Sequence, residues 1–285
     1  MSLRLARTAY CLDRGQGGGG TLASMGKMLR FAVLGNPIGH SRSPAIHNAA
    51  MRHLGIEGIY EARRAGPEDL RRAVDEIRSG SLHGINITMP LKEEAVRLAD
   101  LLSPQAAKSG SVNTMRAGVG TVEGHSTDVV AARAAVSDDR FEPSAPILVL
   151  GSGGAAAAAL VAVSGRIAYL SSRNLDRAAA MADRVGVEAG LVRFGSGVAG
   201  AVVVNATPLG MRGESLPEDV LPPASGVIDL VYGEAPTPTV SAAQASGLPV
   251  LDGIEFLVLQ AAGSFEWWTG LPAPLEVMLQ AARKH

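Results

Sequence analysis

A chain of 285 residues with 47% apolar side chains can bury a large core and is long enough for two compact domains, which excludes disorder as its overall state. A formal net charge of −1 leaves no cationic excess for counterion release, so the partner expected is a small molecule and not nucleic acid. The single cysteine, Cys11, excludes an internal disulfide framework and a cysteine-based zinc cluster; it fits a reducing, cytoplasmic setting, and no apolar run approaches a membrane span.

Residues 1–28 differ from the rest, with Arg4 and Arg7 followed by the glycine run 17–20. They read as a disordered extension or as a start placed upstream of Met25 or Met28, with a transit peptide as a further reading. Next come a strand over 31–34, a helix over 44–54, a strand over 59–61, a helix over 68–78 and a strand over 84–87. That alternation predicts parallel pairing among these strands. A helix containing 129–135 leads to the polar, proline-bearing segment 138–144, which reads as a crossing between domains. A second α/β unit has strands over 147–150, 167–170, 202–205 and 227–230, with helices over 155–164 and 176–185. Helices over 256–269 and 275–283 close the chain.

Lys92 stands out within Asn86-Ile87-Thr88-Met89-Pro90-Leu91-Lys92-Glu93-Glu94. Pro90 suits the first position of a helix, so Lys92 falls in the first turn, where free N–H groups and the dipole favour anions. Glu93 and Glu94 obey that preference and Lys92 does not. A solvated lysine is the bland reading; its neighbours supply the other. Asn86 and Thr88 alternate with Ile85 and Ile87 at a strand end, and Asn113 and Asp128 sit at predicted element ends. Asp128 also reads as a helix cap. Around one crevice, these residues would recognise a small polyhydroxylated molecule. Ser43 with Pro44 fits an N-cap and N1 pair, whereas Ser41 has no such structural reason. Two hydroxyls beside free helix N–H groups suit a substrate carboxylate.

The run Gly151-Ser152-Gly153-Gly154-Ala155 lies between a buried strand and a helix, where backbone N–H groups can hold a pyrophosphate. About twenty residues on, Ser172-Arg173-Asn174 stands where an NAD site offers a carboxylate. Arg173, with Arg177 one turn later, could pair with a 2′-phosphate, which favours NADP(H) over NAD; a solvated helix start is the alternative. Asn205 and Thr207 end the third strand of this unit and would lie by the nicotinamide or its ribose, although an ordinary turn uses the same residue types. The six histidines have no HExxH-type spacing, and no Ser-His-Asp pattern emerges, so neither a metal site nor a hydrolase triad is expected.

Taken in order, these motifs resemble the shikimate dehydrogenase family from about residue 30 to the end. The likeness rests on His40-Ser41-Arg42-Ser43-Pro44, Asn86-Ile87-Thr88-Met89-Pro90-Leu91-Lys92, Val112-Asn113-Thr114, Thr127-Asp128, the glycine loop, Asn205-Ala206-Thr207, Asp229-Leu230-Val231-Tyr232, Thr237-Pro238 and Gln260-Ala261-Ala262. The resemblance implies an α/β protein with a mixed-sheet substrate domain over 29–136 plus 253–285 and a Rossmann-type NADP-binding domain over 137–252. It implies that Lys92 and Asp128 form the catalytic pair and that Ser41 and Ser43 hold the substrate carboxylate. Asn86, Asn113, Asp128 and Gln260 would bind ring hydroxyls, with Thr88 nearby. Tyr232, Gly253 and Phe256 would border the nicotinamide side, Tyr232 touching substrate and Gly253 and Phe256 the cofactor.

The implied reaction is reversible, NADPH-dependent reduction of 3-dehydroshikimate to shikimate on the chorismate route of aromatic amino-acid biosynthesis, by a monomer or homodimer. Some positions depart from the family pattern. Ser126 replaces the usual Asn and Val129 the usual Gly; Glu255 and Phe256 replace Gly and Met; Ser172 and Asn174 alter the Asn-Arg-Thr cofactor motif; and 155–159 lacks a basic residue. Two alternatives stay open: an NAD-dependent quinate or aminoshikimate-type dehydrogenase, and a non-catalytic NADP(H)-binding sensor on the same scaffold.

Overall fold

The computed structural model describes residues 28–284, so the expected extension, Met28 apart, lies outside the described residues. The chain folds as two compact units, one running through Thr127 and resuming at Val258, the other spanning Asp128–Leu257. In the first unit, strands β1 (Leu29–Gly35), β2 (Gly58–Arg64), β3 (Gly84–Ile87), β4 (Leu101–Leu102), β5 (Thr114–Ala117) and β6 (Val122–His125) form one sheet in the order β2-β1-β3-β5-β6-β4. β1 runs parallel to β2 and β3, while β5 is antiparallel to β3 and β6, so the sheet is mixed.

Helices α1 (Ser43–His53), α2 (Pro67–Arg78), α3 (Lys92–Leu98) and α4 (Pro104–Ser109) connect these strands. α2 starts where the side chain of Asp69 accepts the Gly66 N–H at 2.8 Å and Pro67 takes the first turn. Its Leu70, Ala73, Val74 and Ile77 recur at helical spacing and are buried with Leu34, Ile85, Ile87 and Met115. Each large side chain of that stripe contributes about 1.5–3 kcal/mol by leaving water.

Aromatic residues also fill the first unit. Phe31 stacks on Trp268 at 4.7 Å, and the Trp268 indole N–H donates to the Met115 carbonyl at 3.1 Å. Gly84 makes room, because a Cβ there would come within 2.4 Å of the indole nitrogen. His47 lies flat on Tyr60, ring centres 4.3 Å apart and planes 7° from parallel, and neither imidazole nitrogen has a hydrogen-bond partner among the described residues.

In the second unit, strands β7 (Ile147–Leu150), β8 (Ala168–Ser172), β9 (Gly190–Arg193), β10 (Val202–Asn205), β11 (Gly226–Asp229) and β12 (Val250–Leu251) form an all-parallel sheet in the order β12-β11-β10-β7-β8-β9. β7, β10 and β11 are buried along their whole length, as expected of strands covered on both faces. The order reverses direction between β7 and β10, the switch point at which open α/β sheets receive ligands. Helices α5 (Thr127–Val136), α6 (Gly154–Ala162), α7 (Leu175–Val185) and α8 (Pro238–Ala245) precede α9 (Gly253–Thr269) and α10 (Leu275–Arg283); α10 packs against α1 in the first unit.

Several local expectations change. Pro90 lies in a turn and α3 begins at Lys92, so the lysine is in the first turn without proline as its first residue. Ser43 is the first helical residue of α1 and not its cap. Strand β8 begins after Ile167, which is 65% exposed and adds nothing to the buried ladder. The segment 138–144 lies within the second unit, anchored by Arg140, which bonds Asp138 at 2.7 Å, Glu255 at 3.0 Å and the Val250 carbonyl at 2.7 Å.

Burial holds the His47 imidazole down at about 3, against 6.5 in an unfolded chain. Between those values the unfolded state binds a proton that the folded state does not, so stability falls as pH drops below about 6.5. His47→Phe, which keeps the stack on Tyr60, is expected to lose less Tm than the parent between pH 7.5 and pH 5. Equal losses in paired thermal scans would contradict this.

Candidate active site

Strand β3 carries Asn86 into the interior, where its side chain is 5% exposed and must find partners. Its Nδ2 donates to the Asn113 carbonyl at 3.1 Å and to Ser264 Oγ at 2.8 Å, while its Oδ1 accepts the Tyr60 hydroxyl at 2.7 Å. Asn113 is similarly engaged. Its Oδ1 accepts the Thr127 N–H at 2.8 Å and its Nδ2 reaches Thr127 Oγ1 at 2.9 Å and Gln260 Oε1 at 3.4 Å. The side chain of Asn113 thereby satisfies a free N–H at the start of α5, the helix whose second residue is Asp128, buried at 5% exposure.

Lys92 opens α3 half-buried, and its carbonyl accepts the Val112 N–H at 3.1 Å. The Thr88 carbonyl accepts the Leu91 N–H at 3.0 Å, so the backbones bearing Thr88, Lys92 and Asn113 adjoin. The dipole penalty on Lys92 is only a few tenths of a kcal/mol. Of the first-turn acids, Glu94 pairs with Arg71 at 2.9 Å and Arg97 at 2.8 Å, and Glu93 is exposed. In the loop before α1, Ser41 Oγ accepts the Ser43 N–H at 3.4 Å. Ser41 therefore has the local structural reason that the sequence alone does not reveal, and Ser43 is buried beside it.

In the second unit, the turn after β7 meets the turn after β10 at the switch point. Gly151 has φ +120°, and a Cβ there would stand 3.0 Å from the Ala206 carbonyl oxygen. Gly153, the N-cap of α6, would place a Cβ in open space. The nine-residue helix α6 has Gly154 and Ala155 in its first turn. Backbone N–H groups at a helix start, uncovered by side chains, fit a dinucleotide pyrophosphate. Ser172 Oγ donates to Ser152 Oγ at 3.1 Å and accepts the Asn174 N–H at 3.3 Å, linking the glycine loop to the end of β8. Asn174 caps α7 by accepting the Arg177 N–H at 2.8 Å. Arg173 and Arg177 are exposed, and neither guanidinium forms an ion pair among the described residues.

The loop after β10 is folded by Asn205 itself. Its Nδ2 donates to the Leu209 carbonyl at 3.0 Å and to Asp229 at 2.9 Å, and its Oδ1 accepts Thr207 Oγ1 at 2.7 Å and the Thr207 N–H at 3.2 Å. The Asn205 amide thus shapes the loop that carries Thr207. Burial raises the pKa of Asp229, against hydrogen bonds from Thr237 at 2.5 Å, the Val231 N–H and Asn205.

Tyr232 follows β11 half-buried, and Gly253 lies against it so closely that a Cβ would fall 2.0 Å from the Val231 carbonyl oxygen. Phe256 is buried in the first turn of α9. Glu255, which departs from the family pattern, has a structural role. It accepts the Asp252 N–H at 3.1 Å while Asp252 accepts the Glu255 N–H at 2.8 Å, a capping box reinforced by Arg140.

The first unit thus joins Asn86, Asn113 and Gln260 by hydrogen bonds, with Thr88 and Lys92 on adjoining backbone; Ser41 and Ser43 form a pair of their own. The second unit gathers the glycine loop, Ser172 and the Thr207 loop. Tyr60 and Ser264 were not singled out from sequence. Tyr60 reads as a strand aromatic, and Ser264 meets Asn86 across 178 positions, a separation at which no local pattern carries a signal.

A parallel dinucleotide-type sheet in one unit and, in the other, a mixed sheet with buried amides and a helix-start lysine define a class of two-unit α/β oxidoreductases. Within it, residues 33–115 match the model of the shikimate dehydrogenase substrate binding domain, and 253–283 that of the shikimate 5'-dehydrogenase C-terminal domain. A shikimate dehydrogenase (NADP(+)) of Thermus thermophilus is 38% identical over 262 residues, 90% of this chain and 98% of the relative. One of Archaeoglobus fulgidus is 39% identical over 275 residues, with 90% and 98% covered. The crystal structure of the Thermus thermophilus shikimate 5-dehydrogenase with NADP(H) and shikimate matches with a TM-score of 0.83 at 37% identity, covering 90% of this chain and 99% of that one. The Mycobacterium tuberculosis enzyme matches at 0.78 and 34%, covering 90% of this chain and 100% of that one. The chain belongs to the shikimate dehydrogenase family.

Gly151→Ala forces a side chain into a left-handed φ against a carbonyl oxygen. It is expected to cost about 1–3 kcal/mol in a denaturant melt. An unchanged midpoint and slope would contradict the close approach of the two turns.

Proposed function

We propose that this protein reduces 3-dehydroshikimate to shikimate with NADPH, reversibly, and that Lys92 and Asp128 are its catalytic pair. The observation that carries the reading is the buried network of Asn86, Asn113 and Gln260, next to which the Lys92 carbonyl accepts the Val112 N–H, since polar groups so placed match a ring bearing several hydroxyls. Family membership at 38% identity over nearly the whole chain supports it. A non-catalytic NADP(H) sensor would have no use for this network.

The Gly151–Ala155 loop, Thr207, Arg173 and Arg177 would hold NADPH, which would supply the hydride. The protein's own residues do the rest. Ser41 and Ser43 hold the ring carboxylate at the start of α1, where free N–H groups favour an anion. The Lys92 ammonium stabilises the oxygen that gains charge and gives it a proton; in the reverse direction the amine takes the hydroxyl proton back. Asp128, next to the Thr127 that Asn113 holds, orients the reacting hydroxyl and the ammonium. Tyr232, Gly253 and Phe256 wall the nicotinamide side. No helix among the described residues is long and apolar enough to cross a membrane. A cytoplasmic place and a monomeric or homodimeric state belong to the same reading.

Lys92→Ala should lower kcat for shikimate oxidation by a factor of about 100 to 10,000, the range general acid–base catalysis contributes, with little change in KM. Turnover at the parent rate would refute the role. Arg173→Asp should move coenzyme preference from NADP+ towards NAD+ in steady-state assays, because a carboxylate repels the 2′-phosphate; an unmoved preference would overturn that assignment.

A further inference from the structure

We propose that Tyr60 is a positioning residue that fixes the Asn86 amide so that it recognises a hydroxyl and rejects a carbonyl. The proposal deepens the function above and rests on Asn86 lying in the substrate site. Four observations of the first unit carry it.

The Asn113 carbonyl can only accept, so the amide group facing it at 3.1 Å must be Nδ2, which assigns the two ends of the amide. The other Nδ2 hydrogen goes to Ser264 Oγ at 2.8 Å, and Ser264 in turn donates to the Gln260 carbonyl at 3.2 Å. Both Asn86 donors are then used. Tyr60 meets Oδ1 at 2.7 Å and must donate to it, leaving Asn86 one lone pair for any further partner. Finally, the Tyr60 ring is buried at 2% exposure and held flat against His47, so its hydroxyl has little room to move.

A single remaining acceptor accepts from a hydroxyl and repels a carbonyl oxygen. The ring position that meets Asn86 must therefore carry a hydroxyl in both the oxidised and the reduced ligand. Asn86 accordingly serves a position other than the one whose oxidation state changes, and Tyr60 keeps it in that role. Without the phenolic donor, Oδ1 loses its anchor and the amide can rotate, so binding weakens while the hydride-transfer step is spared.

The test is steady-state kinetics on the full chain carrying Tyr60→Phe, which keeps the ring and its stack, beside Asn86→Ala. Tyr60→Phe should raise the KM for shikimate about five- to tenfold, the value of one hydrogen bond, with kcat within about threefold and the KM for NADP+ unchanged. A shikimate KM at the parent value in Tyr60→Phe, with a raised KM in Asn86→Ala, would overturn the positioning role alone. An unchanged KM in Asn86→Ala would instead overturn the placement of Asn86 in the site, and this proposal with it. Should Tyr60→Phe fail to fold, Ser264→Ala frees the same amide from its other side and should show the same split; parental constants there would refute the lock.

Discussion

The Asn86 amide cannot be buried unless its hydrogen-bonding capacity is met, and meeting it recruits residues from three other parts of the first unit. Strand β2 supplies Tyr60, the start of β5 supplies the Asn113 carbonyl, α9 supplies Ser264, and β3 carries the amide itself. An unpartnered buried amide costs about 1–3 kcal/mol, so these elements are selected to arrive together. The consequence runs outward: Asn113 is held by its own bonds to Thr127, which opens the helix carrying Asp128. One connected network thus runs from Asn86 through Asn113 to the start of the helix that bears Asp128, and a change at any member is felt by the others.

The second unit meets the same constraint with the same residue type. Asn205 ends the strand beside the switch point and uses both amide hydrogens and its oxygen to fold the loop that follows. Asp229 and Thr237 extend that arrangement to the cap of α8, where Thr237 accepts the Val240 N–H at 3.2 Å while donating to Asp229. In each unit an asparagine at a strand end organises polar backbone that side chains or a cofactor can then use. The turn after β7 uses the opposite device, glycines: a Cβ at Gly151 would meet the Ala206 carbonyl oxygen at 3.0 Å, and Gly153 leaves open space at the start of α6.

Much of this was legible from residue order. Ile147–Leu150, Val202–Asn205 and Gly84–Ile87 are short apolar runs between turn residues, and they are strands at those bounds. The hairpin of β5 and β6 was not read, because Arg116, Glu123 and His125 break its apolar alternation; their reasons are non-local, such as Arg116 bonding Glu123 at 2.8 Å and lying 4.2 Å over Trp267. β9 escaped because an exposed edge strand carries little burial signal; its Leu191 is 47% exposed. Helix α4 did have readable punctuation: Ser103 caps it, Pro104 opens it and Gly110 ends it in a left-handed conformation. Lys92 was legible as a cation where the helix start prefers anions, and Asn86 and Asn113 as polar residues at the ends of predicted elements. The partners that orient them were not, since Tyr60 and Ser264 meet Asn86 only through the fold. Glu255 is the converse case, a departure from the family pattern that the Asp252 capping box and Arg140 explain.

The central claim is that one ring and one coenzyme are preferred by these two units. The most direct measurement is a steady-state matrix of shikimate and quinate against NADP+ and NAD+ on the purified full chain. The account predicts that kcat/KM is highest for shikimate with NADP+. A higher value for quinate, or for NAD+, would contradict it, and the absence of oxidation in all four combinations would leave a binding protein where an enzyme is claimed.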